Sequence, residues 1–123
     1  MSAILIVDDN RDARWVLTQL IGPDRHQIRE ASDGREAVAL CHASRPDLVL
    51  LDLYMPEQDG FETLRILRRD FPASRVIVVS AGWSVAGMDA LRVARDLGAD
   101  LTLRKPIDVD VFRQAVAEML VAA

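Results

Sequence analysis

Three short runs of apolar residues constrain the fold of this chain more than any other feature of its sequence. They occupy residues 3–7, 48–51 and 76–79, and none of them contains a polar residue. Strands without polar positions are typical of parallel sheets that helices cover on both faces. We therefore expect these runs to be the central strands of a parallel sheet.

Two further segments, 26–31 and 101–103, mix polar and apolar residues, as strands at the edges of a sheet do. Apolar residues at helical spacing separate the five strands. These stripes predict helices over residues 13–21, 37–41, 61–71, 85–97 and 109–120. The predicted fold class is therefore α/β, because strands alternate with helices. The expected architecture is a flavodoxin-like (βα)5 three-layer sandwich with a parallel five-stranded sheet of order 2-1-3-4-5.

Length and composition fit a single domain over residues 1–123. Half of the residues are hydrophobic, which is enough to bury a core. The formal charge of −4 argues against direct nucleic-acid binding, which usually needs a basic face. No apolar run exceeds five residues, so we expect no membrane contact. The start lacks the basic residues of a signal peptide, and the single cysteine, Cys41, fits a reducing cytoplasm, so we expect a cytoplasmic protein.

Ionisable and hydroxyl side chains follow the predicted strands. Asp8 and Asp9 follow the first strand, Asp52 follows the third, Ser80 the fourth and Lys105 the fifth. The carboxyl ends of parallel strands share one edge of the sheet, and ligands bind there near the point where the strand order reverses. Three carboxylates at that point repel one another, so the pocket needs a cation or carboxyl groups that stay protonated. A pocket of carboxylate oxygens suits Mg²⁺.

The same side chains can receive a phosphoryl group. A metal ion and an ammonium neutralise the transferring oxygens, a hydroxyl donates to one of them, and an aspartate attacks the phosphorus. The ammonium would come from Lys105, the only lysine among fifteen basic residues. Its compact charge differs from the planar fork of the arginines. The product would be an aspartyl phosphate.

Structural interpretations of the same residues have to be weighed against this hypothesis. Asp and Ser often cap helices or stabilise turns, so only the convergence of the carboxylates with the sole lysine favours a functional site. Cys41 is expected to be a buried packing thiol, and Trp15 is expected to pack on the first helix. Trp83 either packs or contacts a partner. His26 and His42 have no partners at metal-ligand spacing and are expected to be packing or surface residues.

Five short motifs resemble, in order and spacing, those of the receiver domain of two-component response regulators. Each motif alone is weak, but the collinear set is specific and covers essentially the whole chain. The motifs are Ile6-Val7-Asp8-Asp9, Leu50-Leu51-Asp52, Met55-Pro56 with Asp59-Gly60, Ser80-Ala81, and Gly98-Ala99-Asp100 before Lys105-Pro106.

The resemblance implies a phosphoacceptor signalling domain that catalyses its own phosphorylation and dephosphorylation. Asp52 would be the phosphoacceptor, Ser80 and Lys105 would bind the phosphoryl oxygens, and the Lys105–Pro106 bond would be cis. A sensor histidine kinase or a phosphotransfer protein would supply the phosphoryl group from a phosphohistidine. Phosphorylation would then alter binding to a downstream effector protein or domain, or to a second copy in a homodimer.

The resemblance also implies Mg²⁺ as the cofactor. Asp9 would be a direct ligand and Asp8 would assist through a water molecule. Asp52 and the main-chain carbonyl of Tyr54 would complete the ligands that the protein supplies.

The sequence departs from the family at two places that bear on switching. Thr102 stands where receivers usually carry Tyr or Phe, whose ring turns inward after phosphorylation. Either the output does not use an aromatic side chain, or another group such as Trp83 reports the change. Tyr54 stands two residues after Asp52, where the ring is expected to exclude water and lengthen the lifetime of the phosphorylated state.

Other functions fit the sequence less well. A phosphohydrolase with an aspartate nucleophile needs a second aspartate two residues later, where this chain has Tyr54. Flavin and dinucleotide binders need a glycine-rich loop after the first strand, where this chain has Asp8-Asp9-Asn10-Arg11. A receiver-like interaction module that works without phosphorylation is the remaining alternative, because Thr102 leaves the switch open. Labelling of Asp52 distinguishes the two.

Overall fold

A computed structural model describes residues 2–55, 59–82 and 84–122 of the chain. The interpretations that involve Pro56 and Trp83 therefore lie outside the described residues. None of the helices in the described ranges is long and apolar enough to cross a lipid bilayer.

The described residues form one five-stranded parallel sheet flanked by helices, which confirms the predicted fold class. Numbered along the chain, the strands lie side by side in the order 2-1-3-4-5, as the sequence predicts. Val7 of the first strand lies beside Leu51 of the third, and Leu51 lies beside Val78 of the fourth. This register brings the carboxyl ends of the central strands to the same edge. The strands are β1 (Ala3–Val7), β2 (Gln27–Ala31), β3 (Leu48–Leu51), β4 (Arg75–Ser80) and β5 (Leu101–Arg104).

Five helices connect the strands in the described ranges, and each begins after an Asp or Asn residue. The capping side chain accepts a hydrogen bond from a backbone N–H two or three residues further on, which satisfies one of the free donors of the first turn. The caps are Asn10, Asp33, Asp59, Asp89 and Asp108. The helices are α1 (Arg11–Ile21), α2 (Gly34–Ala43), α3 (Gly60–Asp70), α4 (Ala90–Asp96) and α5 (Val109–Ala122).

Alternate strand residues face opposite sides of the sheet and form two separate cores. Leu5 and Val49 belong to the core under α2, α3 and α4, whereas Ile4 and Leu50 belong to the core under α1 and α5. Strands buried on both faces explain the fully apolar runs of the sequence. Cys41 is buried in the first core, as predicted, and this burial raises the pKa of its thiol to about 11 against the opposing charge of Arg29.

The fourth helix is shorter than the sequence pattern predicts. The stripe indicated a helix over 85–97, but α4 covers only Ala90–Asp96. Residues 84–85 and 88–89 instead pair as a short antiparallel hairpin. Ala86 and Gly87 form its turn with φ values of 51° and 80°, which a right-handed helix cannot contain. The apolar residues between 85 and 97 therefore belong to two different elements, a hairpin and a helix that Asp89 caps.

The prediction that Trp15 packs on the first helix is wrong, because its side chain is 62 % exposed. Leu17 is the buried residue of α1, and two residues correspond to about 200° around a helix. Trp15 therefore points away from the sheet. Val16, which the apolar stripe also included, is 44 % exposed.

A close backbone contact sets the position of α3. The Gly60 N–H donates to the Leu53 carbonyl at 2.8 Å. A Cβ atom at position 60 would collide with Leu53 Cα and would lie 2.7 Å from the Leu53 carbonyl carbon and oxygen. Only glycine lets the helix begin so near the loop that follows β3.

We expect Gly60→Ala to lower the free energy of unfolding by about 3 kcal/mol, because the methyl group has to push backbone away from backbone. Urea denaturation of the full chain measures this change. Gly87→Ala is the matched control: its Cβ would meet nothing within 4 Å, and only the positive φ makes the substitution unfavourable, by about 1 kcal/mol. If helix propensity alone governed position 60, Gly60→Ala would stabilise the protein by about 1 kcal/mol, and the close contact would not be limiting.

Candidate active site at the carboxyl edge of the sheet

The polar residues that follow the strands converge at one edge of the sheet, as the sequence predicts. Hydrogen bonds continue the strand pairing by one residue beyond each strand. The Asp52 N–H donates to the Val7 carbonyl at 2.9 Å, and the Lys105 N–H donates to the Ser80 carbonyl at 3.0 Å. The backbone therefore fixes where each side chain starts.

The Lys105 ammonium lies between two carboxylates. Its Nζ is 2.9 Å from Asp8 Oδ2 and 3.6 Å from Asp52 Oδ2. Asp8 is 2 % exposed and Asp52 is 9 % exposed, so solvent screens these charges weakly. The Lys105–Pro106 peptide bond is cis, as the resemblance implies.

Each of the two carboxylates also stabilises the turn that follows its own strand. Asp8 Oδ1 accepts from the Asn10 N–H at 2.9 Å, and Asp52 Oδ1 accepts from the Tyr54 N–H at 3.2 Å. The Ser80 hydroxyl donates to the same Asp52 oxygen at 2.8 Å. Each aspartate therefore has both a structural and a functional contact. Its Oδ1 accepts the hydrogen bond that stabilises the turn, while its Oδ2 faces the Lys105 ammonium.

The charges of the site shift two ionisation equilibria. Burial raises the pKa of Asp52, and the neighbouring Asp8 carboxylate raises it further against the opposing effects of Lys105, the Ser80 hydroxyl and the Tyr54 N–H. Burial lowers the pKa of Lys105, but its hydrogen bond to Asp8 and the charges of Asp52 and Asp8 outweigh burial, so this pKa is raised. The lysine therefore stays an ammonium, and the carboxylates retain an unfavourable repulsion that a further cation would relieve.

Three carboxylates form a group that could hold a metal ion. One oxygen from each of Asp8, Asp9 and Asp52 lies within 4.8 Å of the others. Hard carboxylate oxygens near an open, solvent-facing position fit Mg²⁺, which keeps several water ligands. Asp9 is exposed and provides that solvent-facing side. The Tyr54 carbonyl as a further ligand stays a prediction.

A cavity of about 470 Å³ opens beside Asp52. Its lining consists of Asp52, Tyr54, Ser80, Ala81, Gly82 and Lys105. The cavity leaves room for a transferring group in front of the carboxylate.

Sequence reasoning missed a contact next to this cavity. The Arg104 guanidinium lies against Gly82, where a side chain would overlap it, and forms an ion pair with Asp89 at 2.5 Å. The pair joins the end of β5 to the start of α4. Neither residue belongs to the motifs, and their proximity depends on the hairpin, so no sequence signal indicated it. Thr102 lies half-buried on β5 beside Val78.

Comparison with known proteins identifies the relatives of this fold and site. The response regulator receiver domain family matches residues 4–117. Sporulation initiation phosphotransferase F of Bacillus subtilis is 35% identical over 117 residues, which cover 95% of this chain and 92% of that protein. Protein PilH of Pseudomonas aeruginosa is 32% identical over 120 residues, covering 98% of each. The crystal structure of the receiver domain of NtrX from Brucella abortus superposes with a TM-score of 0.87 at 25% identity, covering 98% of this chain and 99% of that one.

We expect Asp52→Asn to raise the melting temperature in metal-free buffer at neutral pH. The raised pKa means that the charged carboxylate is less favourable in the folded chain than in the unfolded chain, and the neutral amide removes that cost. The stability that Asp52 contributes is present at low pH and is lost as pH rises through its folded pKa, so the advantage of Asn should shrink on acidification. Added Mg²⁺ should raise the melting temperature of the parent more than that of the variant.

Asp24→Asn, in an exposed loop, is the matched control and should change neither quantity. An Asp52→Asn variant that melts below the parent in metal-free buffer would contradict the repulsion between Asp8 and Asp52.

Proposed function

The chain belongs to the response regulator receiver domain family, and on that premise we propose that it accepts a phosphoryl group on Asp52 from a phosphohistidine of a partner protein. The observation that carries this proposal is the position of the Lys105 ammonium between Asp8 and Asp52, with the Ser80 hydroxyl on the same acceptor. The alternative, an interaction module that works without phosphorylation, gives no reason to keep these charges buried together.

The transfer balances as a displacement at phosphorus. A carboxylate oxygen of Asp52 forms a bond to phosphorus while the bond from phosphorus to the imidazole nitrogen of the donor breaks. The nitrogen keeps the electron pair and takes a proton. The product is an acyl phosphate, and its hydrolysis by water returns the Asp52 carboxylate and inorganic phosphate.

The protein's own groups serve the phosphoryl oxygens during this step. Lys105 already lies within 3.6 Å of Asp52 and provides a positive charge where negative charge gathers. Ser80 donates to Asp52 before transfer and can donate to a phosphoryl oxygen afterwards. These two side chains come from different strands, so the new group ties β4 to β5.

The residues that would hold Mg²⁺ are Asp8, Asp9 and Asp52, with the Tyr54 carbonyl as a proposed fourth group. Bound Mg²⁺ would neutralise the phosphoryl oxygens and the carboxylates at the same time. The buried, mutually repelling pair Asp8 and Asp52 favours such binding without any change of fold.

Partners and output follow from the family. We propose a sensor histidine kinase or phosphotransfer protein as the donor and an effector protein, an effector domain or a second copy as the recipient of the signal. Phosphorylation would shift an existing equilibrium at the face formed by β4, α4, β5 and α5. The Arg104–Asp89 ion pair supports this, because it joins the end of β5 to the cap of α4 on an exposed part of that face. Residues 1–123 would act as one unit, in the cytoplasm.

We expect incubation with acetyl phosphate and Mg²⁺ to add one phosphoryl group to the chain, as read by intact-mass spectrometry. The adduct should need Mg²⁺ and should be absent in Asp52→Ala, whereas Asp24→Asn should form it normally. An adduct that persists in Asp52→Ala would place the acceptor elsewhere. Absence of any adduct, with Mg²⁺ binding shown separately by a melting shift, would favour the module that works without phosphorylation.

We expect Tyr54→Asn to shorten the lifetime of the phosphorylated chain. The Tyr54 side chain is 75 % exposed on the lining of the cavity beside Asp52, where a ring limits the approach of water to the acyl phosphate. Loss of the phosphoryl adduct with time measures the rate after the phosphodonor is removed. Tyr54→Phe keeps the ring and should retain the parent rate. An unchanged rate in Tyr54→Asn would show that the ring does not control water access.

A further inference from the structure

A second cavity lies between α1 and α5, at the edge of the sheet opposite Asp52. Its volume is about 420 Å³, within the range of small-molecule sites. The last turn of α1, the segment before β2 and one side of α5 from Phe112 to Leu120 form its walls. Nothing in the phosphoryl transfer proposed above uses it.

One wall of this cavity is apolar. Phe112 is fully buried at its base and Val116 is 6 % exposed. Leu20 and Leu120, both partly buried against the same core, extend the apolar surface. Such a wall favours a ligand with a hydrocarbon or aromatic body.

Two arginines add positive charge to the lining of this cavity. Arg25 and Arg113 both line the cavity, and among the described residues neither forms an ion pair with a carboxylate. Arg113 Nε donates to the Leu20 carbonyl at 3.2 Å, which leaves the four N–H donors at its Nη atoms for other partners. The Arg25 side chain lies over Gly22, whose φ is 97°. Both guanidinium groups therefore remain available to an anionic ligand.

A histidine on the same cavity lacks a hydrogen bond. His26 lines the cavity, and its Nδ1 is enclosed with no partner among the described residues. Because a water-sized molecule does not reach this atom from the cavity, Nδ1 is not a contact for a ligand there.

We propose that the cavity between α1 and α5 binds a small amphipathic carboxylate. The carboxylate lies against Arg25 and Arg113, whose planar forks match its two oxygens, and the apolar body lies against Leu20, Val116 and Leu120. This binding is separate from phosphorylation of Asp52, since the two cavities occupy opposite edges of the sheet.

The competing explanation is structural. Arg25 and Arg113 lie near the last carbonyls of α1, and basic side chains there stabilise a helix whose last turn has no basic residue of its own. On that explanation the arginines support the helix end and bind no ligand. An experiment therefore has to measure both ligand affinity and stability.

The test is titration of the ¹⁵N-labelled full chain with 1-naphthoate, followed by amide chemical shifts. Saturable shifts are expected at Gly22, Arg25 and Ala117, beside the cavity. The neutral isostere 1-naphthamide should bind at least about 10-fold more weakly, because it cannot form charge-assisted hydrogen bonds. Inorganic phosphate alone should also bind more weakly, because it lacks the apolar body.

Two variants and one control decide the outcome. Arg25→Gln and Arg113→Gln should each weaken 1-naphthoate binding by about 10-fold, whereas Arg65→Gln, exposed on α3 on the other face of the sheet, should not. Melting temperatures show whether each variant stays folded. Absence of saturable shifts, equal binding of 1-naphthamide, or unchanged affinity in both glutamine variants would overturn the proposal and leave the arginines as supports of the α1 end.

Discussion

The Lys105 ammonium holds two buried carboxylates at a distance where they would otherwise repel each other. Buried charges are tolerated only when they are paired and hydrogen-bonded. Asp8, Asp52 and Lys105 each have a partner of opposite charge, and both carboxylates accept hydrogen bonds. Lys105 contacts Asp8 at 2.9 Å, while backbone N–H groups occupy the other carboxylate oxygens. The sheet supplies this arrangement because its central strands end in register at one edge. The same central strands are apolar on both faces, and a layer of helices covers each face. The three-layer fold and the site therefore depend on the same strands.

Much of this arrangement was predictable from the sequence. Fully apolar runs identify the central strands, mixed segments identify the edges, and the residue after each strand falls at the carboxyl edge. These inferences are robust because each depends on short-range periodicity and on a topological rule. They placed Asp8, Asp52, Ser80 and Lys105 together, and the structure brings these four side chains together.

The remaining features depend on tertiary contacts that no local pattern encodes. Helical spacing between 85 and 97 was misleading because a turn with positive φ at Gly87 separates the first part from the second. The exposure of Trp15 follows from the direction in which α1 faces the sheet, which the burial of Leu17 shows in the folded chain. The Arg104–Asp89 pair and the cavity at Arg25 join segments that are distant in sequence, so only the folded chain shows them.

The helix caps give the carboxyl edge of the sheet a particular electrical character. Every described helix begins at this edge, and four of the five capping residues are aspartates, Asp33, Asp59, Asp89 and Asp108. With the carboxylates of the site, they place negative charge around the entrance, which the positive helix N-termini and the ion pair of Asp89 with Arg104 offset in part. Long-range electrostatics of this kind slows association with small anionic phosphodonors at low ionic strength and speeds association with a partner whose docking face is basic. The negative charge that remains would favour encounter with a basic protein surface over encounter with a small anion.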